Sequence, residues 1–104
     1  MEKRIIRQEL AIDTLQLKKA AQILRAVNHK LRQQILLLIH KKKSISVTEI
    51  YMQLRLEQSV ASQHLAILRK ACFVRTERSG KQIFYSVNYP WLKLVQALSG
   101  ELLG

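Results

Sequence analysis

Four residues of this 104-residue chain are strong breakers of regular structure: Gly80, Pro90, Gly100 and Gly104. Their scarcity favours helices over most of the length, and it makes the positions of Gly80 and Pro90 informative. Up to Ala71 the apolar residues recur at spacings of three and four, which is one stripe of a helix. Leu17, Ala20, Ala21, Leu24 and Val27 form such a stripe in a segment from Asp13 to about Val27. Asn28 can cap the next helix, whose stripe is Leu31, Ile35, Leu38 and Ile39. Lys41, Lys42 and Lys43 then suit the negative pole of a helix end. Ser46-Val47-Thr48-Glu49 has the spacing of a capping box, so a third helix is expected there with Ile50 and Leu54 turned inward. Leu56-Glu57-Gln58-Ser59 reads as a tight turn. A fourth helix from about Gln58 to Ala71 carries Val60, Ala61, Leu65 and Leu68 on its apolar side.

Beyond Ala71 the period changes. Phe73 to Arg78 and Gln82 to Asn88 are rich in β-branched and aromatic residues, and Ile83, Tyr85 and Val87 alternate with Phe84 and Ser86 as in a half-buried strand. Ser79-Gly80-Lys81 lies between the runs as a short turn with Gly where positive φ is needed. Pro90 suits the first turn of a closing helix carrying Trp91, Leu94, Val95, Leu98 and Leu102. The expectation is one mainly α domain over residues 1–104 with a β-hairpin. A short helix, a turn and a second helix (about 46–71), followed by a basic hairpin (about 73–88), is the plan of a winged helix-turn-helix.

Charge narrows the partner. Lys and Arg number 18 against 7 acids, a formal net charge of +11. Such an excess points to a polyanion, with nucleic acid first and an anionic membrane second; the bland reading is a solvated basic surface. The longest apolar run, Ile35 to Ile39, is far short of the roughly 20 residues of a membrane span, and the charged N-terminus does not read as a secretory signal. One cysteine, Cys72, cannot form an internal disulfide and fits a reducing, cytoplasmic setting. It reads as a small buried hydrophobe. With no phosphate loop and no nucleophile beside a base at a motif spacing, the chain is not expected to be an enzyme or to need a cofactor. His29, His40 and His64 are not spaced as metal ligands.

The stretch from Ile23 to Tyr89 resembles the ArsR family of bacterial repressors. The resemblance lies in Leu24-Arg25-Ala26-Val27-Asn28-His29-Lys30-Leu31-Arg32 running on to Ile35-Leu36, in Val47-Thr48-Glu49-Ile50, and in Gln58-Ser59-Val60-Ala61-Ser62-Gln63-His64-Leu65. It continues in Phe73-Val74-Arg75 and in the run from Arg78 to Val87. It implies a dimeric repressor that binds a palindromic operator in double-stranded DNA and releases it on a signal, here an unknown inducer. The dimer would use the first and last helices, about 10–27 and 90–103. Many members sense metals through cysteines at the helix-turn-helix or through His and acids on the last helix. This chain has no cysteine from Val47 to Leu54, and its last helix has no His and only Glu101. No metal site is therefore expected.

A recognition helix reads base edges from its N-terminal half. Gln58, Ser59, Ser62 and Gln63 lie off the apolar side of the fourth helix. Gln pairs bidentately with adenine and Ser bonds several bases, whereas a mere surface would usually carry Lys and Glu. His64 lies near the DNA by analogy, or is a partly buried ring bonding within the protein. On the hairpin, Arg78, Lys81 and Gln82, with Arg75 nearby, can reach phosphates or a minor groove; the bland reading is a charged turn that keeps the chain soluble. The expected function is a sequence-specific DNA-binding regulator. The alternative is a winged-helix module that binds protein or RNA, because a fold does not fix a function.

Overall fold

The computed structural model describes residues 17–103, with side chains described through Ala97. A first helix, α1, spans 17–27. It is followed by α2 (Lys30–Lys42), β1 (Ile45–Ser46), α3 (Val47–Gln53), α4 (Gln58–Lys70), β2 (Val74–Ser79), β3 (Gln82–Val87) and α5 (Tyr89–Leu103). The part of the first helix expected before residue 17 lies outside the described residues.

The helices pack on one apolar centre. Ile35 and Ile39 of α2, Ile45 of β1, Ile50 of α3, Leu65 and Leu68 of α4, and Phe73 are fully buried. The helical residues among these lie on the stripes the spacing predicts, with Leu36 added to the core and Leu37 left outside. Burying such a side chain stabilises the fold by roughly 1.5–3 kcal/mol.

The hairpin forms with Ser79 paired to Gln82 and Val74 to Val87. Its loop is therefore Gly80-Lys81, one residue shorter than expected, with Gly80 at φ 62°. A third strand joins it: β1 pairs antiparallel with β3, giving the order β1-β3-β2. Two residues are too short to show a period, so β1 left no mark in the sequence. Ser46 serves twice. It is buried opposite Phe84, and its Oγ accepts from the Glu49 N–H at 3.2 Å. The capping residue of α3 is thus also the last residue of a strand, which fixes the helix to the sheet.

Three local expectations need correction. The cap of α2 is His29, not Asn28: its Nδ1 accepts from the Leu31 N–H at 3.2 Å, while the Asn28 N–H closes α1 on the Leu24 carbonyl at 2.7 Å. The turn before α4 comes earlier than Leu56–Ser59, since Gln58 and Ser59 are already helical and Arg55 supplies the bend at φ 54°. An arginine in the left-handed region carries no sequence signal.

The third concerns Cys72, which is exposed rather than buried. It has φ 68° just past the C-cap Ala71. The Cys72 N–H bonds the Arg69 carbonyl and the Phe73 N–H bonds the Leu68 carbonyl, the paired bonds of a Schellman ending that usually has Gly here. A left-handed non-Gly residue costs about 1–2 kcal/mol, and glycine's extra unfolded-state entropy takes back about 0.4–1. Cys72→Gly should therefore raise the unfolding free energy by about 0.5–1 kcal/mol, and Cys72→Val should lower it, both read from urea midpoints.

Candidate nucleic-acid interface

Along α4 each residue turns by about 100°. Ala61, Leu65 and Leu68 are buried, which sends Ser59 and Gln63 to the opposite side and Ser62 to the flank, while Gln58 stands at the first turn nearer the stripe; all four are exposed. They form one uncharged polar face at the N-terminal half of the helix. His64 does not belong to it. Three residues after Ala61 and four before Leu68, it sits beside the buried stripe and is half-buried. Its Nδ1 lies 3.3 Å from Arg32 Nη1, and its ring centroid is 5.0 Å from that of His29. Of the two sequence readings for this residue, the geometry matches the ring that bonds within the protein.

On the wing, Arg78, Lys81 and Gln82 are exposed at the hairpin end. Arg75 is held at its foot, where Nη2 donates to Asn88 Oδ1 at 3.2 Å. The same oxygen accepts from the Trp91 N–H at 3.4 Å, and Asn88 Nδ2 donates to the Cys72 carbonyl at 3.0 Å. Asn88 thus caps α5 while tying the end of the wing to the turn after α4. Sequence reading missed it, although Asn two residues before Pro90 is a capping signal. Lys43, with φ 70°, places its ammonium 6.0 Å from the Tyr89 ring centre, and Tyr89 Oη meets His40 Nδ1 at 2.7 Å. The lysine run at the end of α2 is thus partly engaged with α5.

Among the described residues no three His, Cys, Asp or Glu side chains converge as a metal site would require. In the His29–His64 pair both Nδ1 atoms already face N–H donors. The carboxylates among the described side chains are Glu49, Glu57 and Glu77, so cations dominate the surface.

Comparison with known proteins defines the class. The family description "Bacterial regulatory protein, arsR family" matches residues 29–76. The transcriptional repressor PagR of Bacillus anthracis is 37% identical over 79 residues, covering 76% of this chain and 79% of PagR. The transcriptional activator HlyU of Vibrio cholerae is 37% identical over 84 residues, 81% of this chain and 77% of HlyU. Among solved structures, NolR of Sinorhizobium fredii superposes with a TM-score of 0.71 at 31% identity, covering 85% of this chain and 88% of NolR. The chain belongs to the ArsR family of transcriptional regulators, and its winged helix-turn-helix is the fold those relatives share.

The His64 environment gives a pH dependence with a defined sign. Burial, then His29, then Arg32 hold its pKa below the ordinary histidine value. The unfolded chain therefore takes up a proton near pH 6.5 that the native ring resists. The native state keeps its full stability above that pH and loses some as pH falls below it. Urea midpoints at pH 7.5 and 5.5 should fall more for the wild type than for His64→Gln.

Proposed function

We propose that the chain is a homodimeric repressor that recognises a palindromic operator through α4 and grips the backbone with its wing. The observation that carries this is the exposed, uncharged Gln58-Ser59-Ser62-Gln63 face on a chain of net charge +11. Base edges are read by such groups, while cations supply sequence-independent affinity. Gln58, Ser59, Ser62 and Gln63 contact bases; Arg78, Lys81 and Gln82 contact the backbone or minor groove; His64 acts from behind. Repression follows the name of PagR, and HlyU is the relative named an activator. No helix among the described residues is long and apolar enough to cross a membrane. The regulator works on DNA in the cytoplasm and is released by an inducer other than a metal.

The whole chain acts as one domain, with the helix-turn-helix at 46–71 and the wing at 73–88. Pairing falls to the terminal helices, about 10–27 and 90–103. On the last of these helices Val95 is in the core and Trp91 packs against it. Leu17 and Leu94 remain exposed, and Leu10, Ile12, Leu15 and Leu98 lie outside the described side chains. Sedimentation at micromolar concentration should find a dimer, and Leu94→Glu should shift it toward monomer. A wild-type monomer would contradict the pairing.

The two kinds of contact separate by mutation. Lys81→Ala should weaken operator and random duplex alike and reduce the salt slope by about 1. Gln63→Ala should cost about 1–3 kcal/mol on the operator alone. Titrations of both DNAs at two salt concentrations, on an operator selected from random sequence, decide the matter. Equal weakening of both DNAs by Gln63→Ala would mean that α4 does not read bases.

A further inference from the structure

Arg32 makes three bonds in three directions. Its Nε donates to the Ala26 carbonyl at 2.5 Å and its Nη2 to the Arg25 carbonyl at 3.1 Å. Both oxygens belong to the last turn of α1, where carbonyls lack helical partners and a cation suits the dipole. The guanidinium is a rigid planar fork, so two bonds to α1 fix where the third N–H points. It points at His64 Nδ1 on α4. Arginine only donates. The His64 nitrogen must therefore accept, which places the proton of the neutral ring on Nε2.

We propose that Arg32 is a positioning residue for the recognition helix: it joins the end of α1 to the back of α4 through neutral His64, and a proton on that ring releases the joint. The proposal rests on reading α4 as the recognition helix. Its consequence is that the helix assigned to pairing and the face assigned to reading are held by one side chain from α2.

Protonated His64 would turn an N–H toward another N–H and place two cations together. The charged groups around it deepen that conflict. Arg32 faces it from α2 and His29 from that helix's cap, and Arg25 belongs to the adjoining turn of α1, its Nε turned back to the Ala21 carbonyl at 3.3 Å. The neighbours of His64 on α4 one turn away, Val60, Ala61, Ile67 and Leu68, are uncharged. No carboxylate faces the ring among the described residues to stabilise its proton. An apolar pair at positions 32 and 64 would seal the same corner without setting an angle.

The test uses the full chain and compares an operator selected at pH 7.5 with random duplex at fixed salt. The wild-type ratio of operator to random affinity should fall several-fold from pH 7.5 to 5.5, short of the roughly tenfold worth of one charge-assisted hydrogen bond, because the lowered His64 pKa leaves the ring only partly protonated at the lower pH. His64→Gln keeps an acceptor for Arg32 and cannot titrate, so it should hold the ratio at both pH values. Arg32→Lys keeps the charge but loses the fork, so it should lower the ratio about tenfold at pH 7.5 while random duplex binds as before. A flat wild-type profile, or an Arg32→Lys ratio equal to wild type, overturns the proposal and leaves the reading of α4 standing. If Arg32→Lys does not fold by circular dichroism, the contrast between wild type and His64→Gln decides alone. If wild type prefers no duplex at pH 7.5, the reading of α4 falls, and this inference with it.

Discussion

The burial of Phe73 sets the relation between the two elements that face DNA in the proposed function. Its side chain is fully buried, its N–H bonds the Leu68 carbonyl, and its carbonyl accepts from the Asn88 N–H at 2.9 Å. One residue therefore ends α4, starts the wing and meets the end of the wing. Leu68, equally buried, is the apolar partner that a Schellman ending places beside the residue two past the cap. Asn88 closes the corner by holding the Cys72 carbonyl, Arg75 and the first turn of α5. Helix, hairpin and closing helix cannot shift independently without opening this corner. The left-handed backbone at Cys72 is the strain the corner tolerates.

Periodic features were legible in the sequence. Ile35, Ile39, Ile50, Leu65 and Leu68 fall on helical stripes and all are buried. The hairpin announced itself through alternation and Gly80, and the capping box at Ser46 through a spacing of three. Features that depend on one residue's backbone were not legible. Arg55 and Cys72 take positive φ without being Gly or Asn. β1 is too short for a period and exists because β3 offers it an edge. His29 displaced Asn28 as a cap because an imidazole nitrogen reached the Leu31 N–H, a role that lists of capping residues give to Asn first.

The polar face of α4 was legible for a physical reason. Once Ala61, Leu65 and Leu68 are buried, helix geometry alone turns Ser59, Ser62 and Gln63 away from the core. His64 was not, because its position at the edge of the stripe allows either direction. What settles it is a partner 32 residues away in sequence, Arg32, and no local pattern reports such a contact.

Chemistry is divided along the same lines as geometry. Arg32 is anchored by three bonds and Arg75 by one at the foot of the wing, while the Gln and Ser residues sit on a helix face of α4. Arg78 and Lys81 stand exposed at the hairpin end, where long side chains keep rotamer freedom until a partner arrives. Such freedom costs little when the partner is a phosphate, since a point charge tolerates many approach angles. It would cost specificity if these groups had to read bases, where donors and acceptors must align with a fixed edge. In the proposed function, the placement of uncharged groups on a rigid helix and cations on a hairpin tip thus follows from what each contact would demand, whichever operator is bound.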